Sequence, residues 1–293
     1  MSVMLLAAPA TRTNPGSRHL PSCRRRRWLL PNLRRYASAL ALAGGTAFAV
    51  AAGEARADYT GSNHVAVAVY VGGGATGKGV PRVLSILGAA RNVTAARMTP
   101  AEIQAGALKQ YDVVVFTGGS GSGQARALGQ GGCQEVKEFV ENGGGYVGIC
   151  AGSYLACSGF SWGLGLINAK TLSPLWKRGT DMVKVELTGR GRDILGPLPG
   201  ALDCLYYQGP IVGPAGLPDL PEYEPLAFYR SEVAKNGTPK GIMVNSPAIF
   251  AGRYGKGRVL CFSPHPEQSK GLENFVTRAV VWAAGRREAE TSP

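Results

Sequence analysis

Apolar residues in this chain arrive in two rhythms. Residues 64–71, 112–117 and 145–149 are short, almost unbroken apolar runs. Such runs mark strands covered on both faces, as in a parallel sheet. Between them, helical spacing predicts helices over 80–90 and 134–142, and residues 92–98 read as a further strand. Thr99-Pro100-Ala101-Glu102 combines an N-cap, a first-turn proline and a capping-box acid, so another helix starts there. This βαβα order predicts an α/β domain with a doubly wound, mostly parallel sheet and ligands at the carboxyl ends of its strands. The rhythm changes over 162–187 to short alternating segments, which predict an antiparallel excursion. Residues 189–225 are dense in Gly and Pro and read as loops around a cleft. Strands return at 226–230, 242–245, 248–254 and 258–263, followed by a closing amphipathic helix over 272–284.

The flanks follow neither rhythm. Residues 1–57 hold nine Lys/Arg and one acid, Glu54, with an uncharged Ala/Gly/Leu stretch over 37–53 and Glu54-Ala55-Arg56-Ala57 at the end. A basic segment, a moderate apolar run and small residues before the cut describe an export leader cleaved after Ala57. The expected destination is periplasmic or secreted. The length of the stretch before Arg34-Arg35 also suits a bipartite address to a thylakoid lumen. The reading is therefore a leader over 1–57, a domain over 58–285 and a polar tail over 286–293.

Removing the leader changes the charge argument. The full 293-residue chain is +13, but residues 58–293 hold 23 Lys/Arg and 18 Asp/Glu, an excess of five scattered without a basic run. That pattern gives no support for nucleic-acid binding. Five cysteines remain (133, 150, 157, 204 and 261), four of which are free to form two disulfides or simply to be buried. No Cys/His cluster has zinc spacing. Residues 72–79 nearly match a phosphate-binding loop, but Gly79 stands where a Mg²⁺-binding hydroxyl is needed. The segment reads as a flexible cleft rim, and no cofactor or metal is expected.

The candidate chemistry lies at two strand ends. Gly148-Ile149-Cys150-Ala151-Gly152 places a cysteine at a strand-to-helix turn with glycine at both second neighbours, the pattern of a nucleophile elbow. Downstream, the 258–263 strand runs into Pro264-His265-Pro266-Glu267, which offers a base and its orienting acid two residues apart. Gly118-Gly119-Ser120-Gly121 follows a third strand. Cys150, His265 and Glu267 are the candidate catalytic residues, with oxyanion donors at the backbone N–H groups of Ala151 and Gly119. Gly118, Ser120, Trp176, Arg178, Tyr207 and Gln208 are candidate substrate contacts. Arg178 suits a bidentate pair with a substrate carboxylate.

Together the elbow, Pro-His-Pro-Glu and the glycine loop resemble the class I glutamine amidotransferase-like superfamily, which implies a flavodoxin-like sheet. Within it, Cys150-Ala151-Gly152-Ser153-Tyr154-Leu155-Ala156-Cys157, Trp176-Lys177-Arg178-Gly179, Tyr206-Tyr207-Gln208-Gly209-Pro210 and Gly255-Lys256-Gly257-Arg258 resemble the biotin–protein ligase N-terminal-like exported proteins. The resemblance spans about 64–285 and implies the same triad roles. Ser120 departs from it, standing where many amidotransferases carry proline. The expected partner is a small molecule or peptide with an amide bond, and the oligomeric state stays open. Three functions are compatible: an exported thiol hydrolase acting on an amide, peptide or γ-glutamyl bond, a glutaminase serving a synthetase partner, and a silent binding protein of the same fold.

Overall fold

Side-chain alternation along the central strands divides the molecule into layers. The computed structural model describes residues 64–285, so the leader and its cleavage site, Cys23 and the tail lie outside the described residues. Strands β1 (Val65–Tyr70), β2 (Val93–Met98), β3 (Val113–Phe116) and β4 (Gly145–Ile149) lie parallel in the order β2-β1-β3-β4. β11 (Gly257–Phe262) joins them, parallel to β4. Val67, Val115, Val147 and Leu260 face one layer, packed by α1 (Gly79–Gly88) and α6 (Asn274–Ala283). Ala68, Val114, Tyr146 and Cys261 face the other, packed by α3 (Gly121–Glu141) and α4 (Ala151–Ala156). Both faces are dry, which is why these strands read as continuous apolar runs. The capping box is present at α2 (Pro100–Gln104): Thr99 Oγ1 accepts from Glu102 N–H while the Glu102 carboxylate accepts from Thr99 N–H.

Helix α3 begins thirteen residues before the expected 134, with a break at Gly129 (φ 62°). Its glycines hid it, since each lowers helix propensity by roughly 1 kcal/mol relative to Ala. Packing explains two of them: a Cβ at Gly121 would sit 3.0 Å from Ala151 O, and one at Gly123 3.0 Å from Gly74 Cα.

Beyond β11 the sheet turns antiparallel through β10 (Pro247–Tyr254), β9 (Glu224–Tyr229), β6 (Thr180–Leu187) and the edge strand β7 (Ala201–Tyr207). Two short strands, β5 (Ala169–Thr171) and β8 (Val212–Pro214), pair separately. The expectation of loops over 189–225 is therefore corrected: that stretch contains α5 (Gly189–Leu195), β7 and β8. The strand expected over 242–245 is also absent. There Met243 is buried, its Sδ accepts from Val233 N–H, and Glu232 takes the Gly241 N–H, so the chain turns rather than extends.

β7 stands four strand positions from β11, roughly 19 Å in a flat sheet. Yet Leu205 of β7 forms a bridge with His265, just past β11, through His265 N–H to Leu205 O at 2.7 Å. The antiparallel half curls back until its edge meets the carboxyl end of the parallel half. No helix among the described residues is long and apolar enough to cross a membrane.

Candidate active site

Cys150 sits between β4 and α4 with φ 51° and ψ −99°. A non-glycine residue held there stores about 1–3 kcal/mol of strain, which the surroundings must offset. The packing enforces it. A Cβ at Gly148 would lie 2.7 Å from the Gly152 carbonyl, and one at Gly152 only 2.2 Å from Phe116 O. The buried Ser153 hydroxyl lies 2.7 Å from Phe262 O and 3.0 Å from Gly148 O, tying α4 to β11 and β4. Tyr146 Oη donates to Gly152 O at 2.7 Å. As the first residue of α4, Ala151 has no intrahelical acceptor for its N–H.

His265 and Glu267 sit on the turn after β11, buried at 3% and 1% exposure. Nδ1 of His265 lies 2.7 Å from Glu267 Oε1. A carboxylate at Nδ1 fixes the proton there and leaves Nε2 as the basic nitrogen. Gln268 Nε2 donates to the same carboxylate oxygen at 3.0 Å. Burial alone would disfavour the imidazolium. The Cys150 sulfur beside the ring and the Glu267 carboxylate bonded at Nδ1 outweigh burial and hold His265 up at about 10.

At rest the thiol is turned slightly aside. Cys150 Sγ–H donates to Tyr207 O at 3.3 Å, and His265 Nε2 is buried without an aligned partner. Sulfur and imidazole are thus electrostatically coupled but not yet aligned, a looseness common in unliganded sites. The geometry, not the coupling, describes the resting state. Ser269 Oγ donates to His265 O at 2.7 Å and accepts from Leu205 N–H at 2.8 Å, pinning the histidine to β7.

The glycine loop closes the site. A Cβ at Gly118 would meet His265 Cε1 at 2.8 Å. Gly119 has φ 135°, and a Cβ there would meet Gly74 O at 2.0 Å. The 72–79 segment, expected as a flexible rim, does line the cleft and is fastened to this loop by Ser120 N–H to Gly74 O (2.8 Å) and Thr76 N–H to Gly118 O (3.2 Å). Ser120, at the proline position, caps α3 by accepting from Gly123 N–H at 3.1 Å.

One cavity of about 760 Å³ brings together Cys150, His265, the glycine loop, Trp176, Tyr207 and Gln208. Arg178 is not among them. It is 2% exposed, with Nε donating to Val233 O, Nη2 donating to Pro239 O and Glu232, and Nη1 buried without a partner. A substrate carboxylate in the cleft cannot reach it. Among the described residues all five cysteines are free and buried, and burial pushes Cys157 and Cys204 up to about 12. No group of three or more His, Cys, Asp or Glu among them could hold a metal. The sequence reading missed Phe160, Trp162 and Gln268 as lining residues. The only sequence signal for the two aromatics is their two-residue spacing just after the elbow helix.

This mostly parallel α/β sheet, with a thiol elbow at its carboxyl edge, has the class I glutamine amidotransferase-like fold. More particularly, residues 65–172, from β1 just past β5, match the family described as biotin-protein ligase, N terminal. His265 and Glu267 lie beyond the matched span. PurLQS from Thermotoga maritima, 14% identical, aligns over 75% of this chain and 97% of its own with a TM-score of 0.53. A glutamine amidotransferase structure, 19% identical, aligns over 75% and 98% at 0.48, and a ThuA-like protein from Parabacteroides merdae, 14% identical, over 78% and 93% at 0.47. No curated protein matches the sequence significantly.

Proposed function

We propose that this chain is an exported thiol hydrolase that cleaves an amide, peptide or γ-glutamyl bond through Cys150, His265 and Glu267. The observation that carries the reading is the strained Cys150 at an elbow, facing in one cavity a buried histidine already bonded at 2.7 Å to a buried glutamate. No packing role requires all three.

In this reading His265 Nε2 takes the thiol proton and the thiolate attacks the carbonyl carbon. The negative oxygen forms against the N–H groups of Ala151 and Gly119, where each donor is worth about 3 kcal/mol. The C–N bond then breaks, with the amine leaving on the proton held by His265. Water, deprotonated by His265, attacks the thioester to release the carboxylic acid and restore the thiol. Glu267 stabilises the imidazolium in both halves.

Labelling with a thiol-directed probe followed by a screen of amide and γ-glutamyl substrates tests the proposal. Cys150-dependent product release supports it, and release unaffected by Cys150→Ser would overturn it. The export part rests on the leader, and amino-terminal sequencing of the native protein should find a start at or near Asp58. A second reading, a silent binding protein, is favoured by the resting thiol bonded to Tyr207 O rather than to His265.

A further inference from the structure

The cavity wall has a chemistry of its own. Phe160 and Trp162 stack with centroids 4.5 Å apart and planes 17° off parallel, and Tyr154 stands 5.9 Å from Phe160. Trp176 and Tyr207 close the mouth, 50% and 55% exposed. All five line the cavity that contains Cys150. Aromatic faces left open to water beside a nucleophile are partners without a ligand, since flat apolar groups stack on them with gains beyond simple burial.

The charge of the wall is equally one-sided. No Asp or Glu lines it, and Lys78 is its only formal charge besides His265. Lys177 adds a second ammonium at the mouth, 5.3 Å from the Trp176 ring centroid. A cationic ligand would meet two like charges here, and an anionic one two attractions that salt weakens. The 760 Å³ volume falls within the roughly 300–1,000 Å³ that holds drug-sized ligands, more than one amino-acid amide would fill.

From this wall we infer that the substrate is an amide carrying a flat, apolar ring system and a carboxylate, rather than glutamine. The inference rests on Cys150 being the acyl-transfer nucleophile. Ring and carboxylate are compatible with either a small molecule or an aromatic residue at a peptide end. The ring stacks on Phe160 and Trp162, the carboxylate lies toward Lys78, and the scissile carbonyl sits over Cys150.

Binding to the full-length Cys150→Ser protein, measured by calorimetry, tests the wall without requiring turnover. The probes are 2-naphthylacetate, 2-naphthylmethylamine, octanoate and glutamine. 2-Naphthylacetate should bind about tenfold or more tighter than each of the others. Trp162→Leu should erase its advantage over octanoate, and Trp176→Ala, at an exposed position, should reduce it with little risk to folding. Lys78→Glu should reverse the order of the naphthyl anion and amine. Octanoate or the amine matching 2-naphthylacetate, glutamine exceeding it, or no binding by any probe would overturn the inference. If the naphthyl anion binds as expected but wild-type protein leaves 2-naphthylacetylglycine and N-terminally blocked phenylalanyl peptides uncleaved, the hydrolase reading fails while the recognition stands. Cleavage of small amides but not peptides, or the reverse, identifies the source of the ring.

Discussion

The parallel and antiparallel halves of the sheet meet at one cleft but bring different things to it. The parallel half supplies the reacting groups at the ends of β3, β4 and β11, packed so closely that a Cβ would meet backbone at Gly148 and Gly152 and the His265 ring at Gly118. The antiparallel half supplies β7, whose Leu205 and Tyr207 carbonyls hold the His265 N–H and the Cys150 thiol. Chemistry sits where the backbone is most constrained. Its alignment is delegated to an edge strand whose hold on the thiol is a weak S–H···O bond that a ligand can replace.

The strongest test of this division is to remove the chemistry and leave the scaffold. Cys150→Ser should abolish turnover while keeping the melting temperature. His265→Ala should slow turnover by about 10²–10⁴-fold, the usual worth of a positioned base. It should also change the pH dependence of Cys150 alkylation, and an unchanged profile would break the pair. Of the five thiols, Cys150 should label first with iodoacetamide at neutral pH, because burial suppresses ionisation at Cys157, Cys204 and Cys261. The same histidine predicts a stability slope. Its folded value of about 10 lies above the unfolded value of about 6.5. Its stabilisation is therefore complete below pH 6.5 and is lost as pH rises through 10. Urea midpoints should fall across that window, and fall less in His265→Ala.

Smaller effects come from groups that only place the reacting atoms. Gly118→Ala should push the imidazole from its seat, since the new methyl would meet Cε1 at 2.8 Å. Cys150 alkylation should slow with little change in melting temperature. Glu267→Gln should leave measurable turnover, more than His265→Ala, because it orients the ring without touching substrate. Ser269→Ala tests the other half directly: it removes the hydroxyl joining His265 O to Leu205 N–H. A cost of about 1–3 kcal/mol in stability is expected. A lower alkylation rate in this variant would show that β7 positions the histidine, and an unaltered rate would confine β7 to a structural role.

The two halves were not equally legible in the sequence. β1, β3, β4 and β11 were readable because burial on both faces leaves continuous apolar runs. The elbow was readable because only glycine fits positions 148 and 152. β7 was not: Ala201-Leu202-Asp203-Cys204-Leu205 carries a charge between apolar residues, and the Gly and Pro on either side outweighed it. Its importance depends on sheet curl, a tertiary property with no local trace. The aromatic wall was obscured for a related reason, since Tyr154, Phe160 and Trp162 come from the elbow helix and the loop beyond it. Arg178 was misassigned because an arginine between Lys177 and Gly179 looks exposed, whereas it is buried with Nε and Nη2 bonded to the Val233 and Pro239 carbonyls.

Arg178 also gives the smallest expected effect on chemistry and the cleanest contrast with the reacting groups. Its Nε donates to Val233 O at 3.0 Å and its Nη2 to Pro239 O at 2.9 Å, with Glu232 Oε1 3.2 Å away. Arg178→Met keeps much of the side-chain volume but leaves both carbonyls unpaired. Glu232 loses less, because it retains the Gly241 N–H and is 21% exposed. Orphaned buried carbonyls cost about 1–3 kcal/mol, so the melting temperature should drop by several degrees. The Cys150 alkylation rate should stay within about twofold of wild type, since Arg178 does not line the cavity that contains Cys150. If alkylation instead falls as far as in Gly118→Ala, the loop that Arg178 anchors is coupled to the nucleophile. The antiparallel half would then take part in the chemistry as well as in alignment.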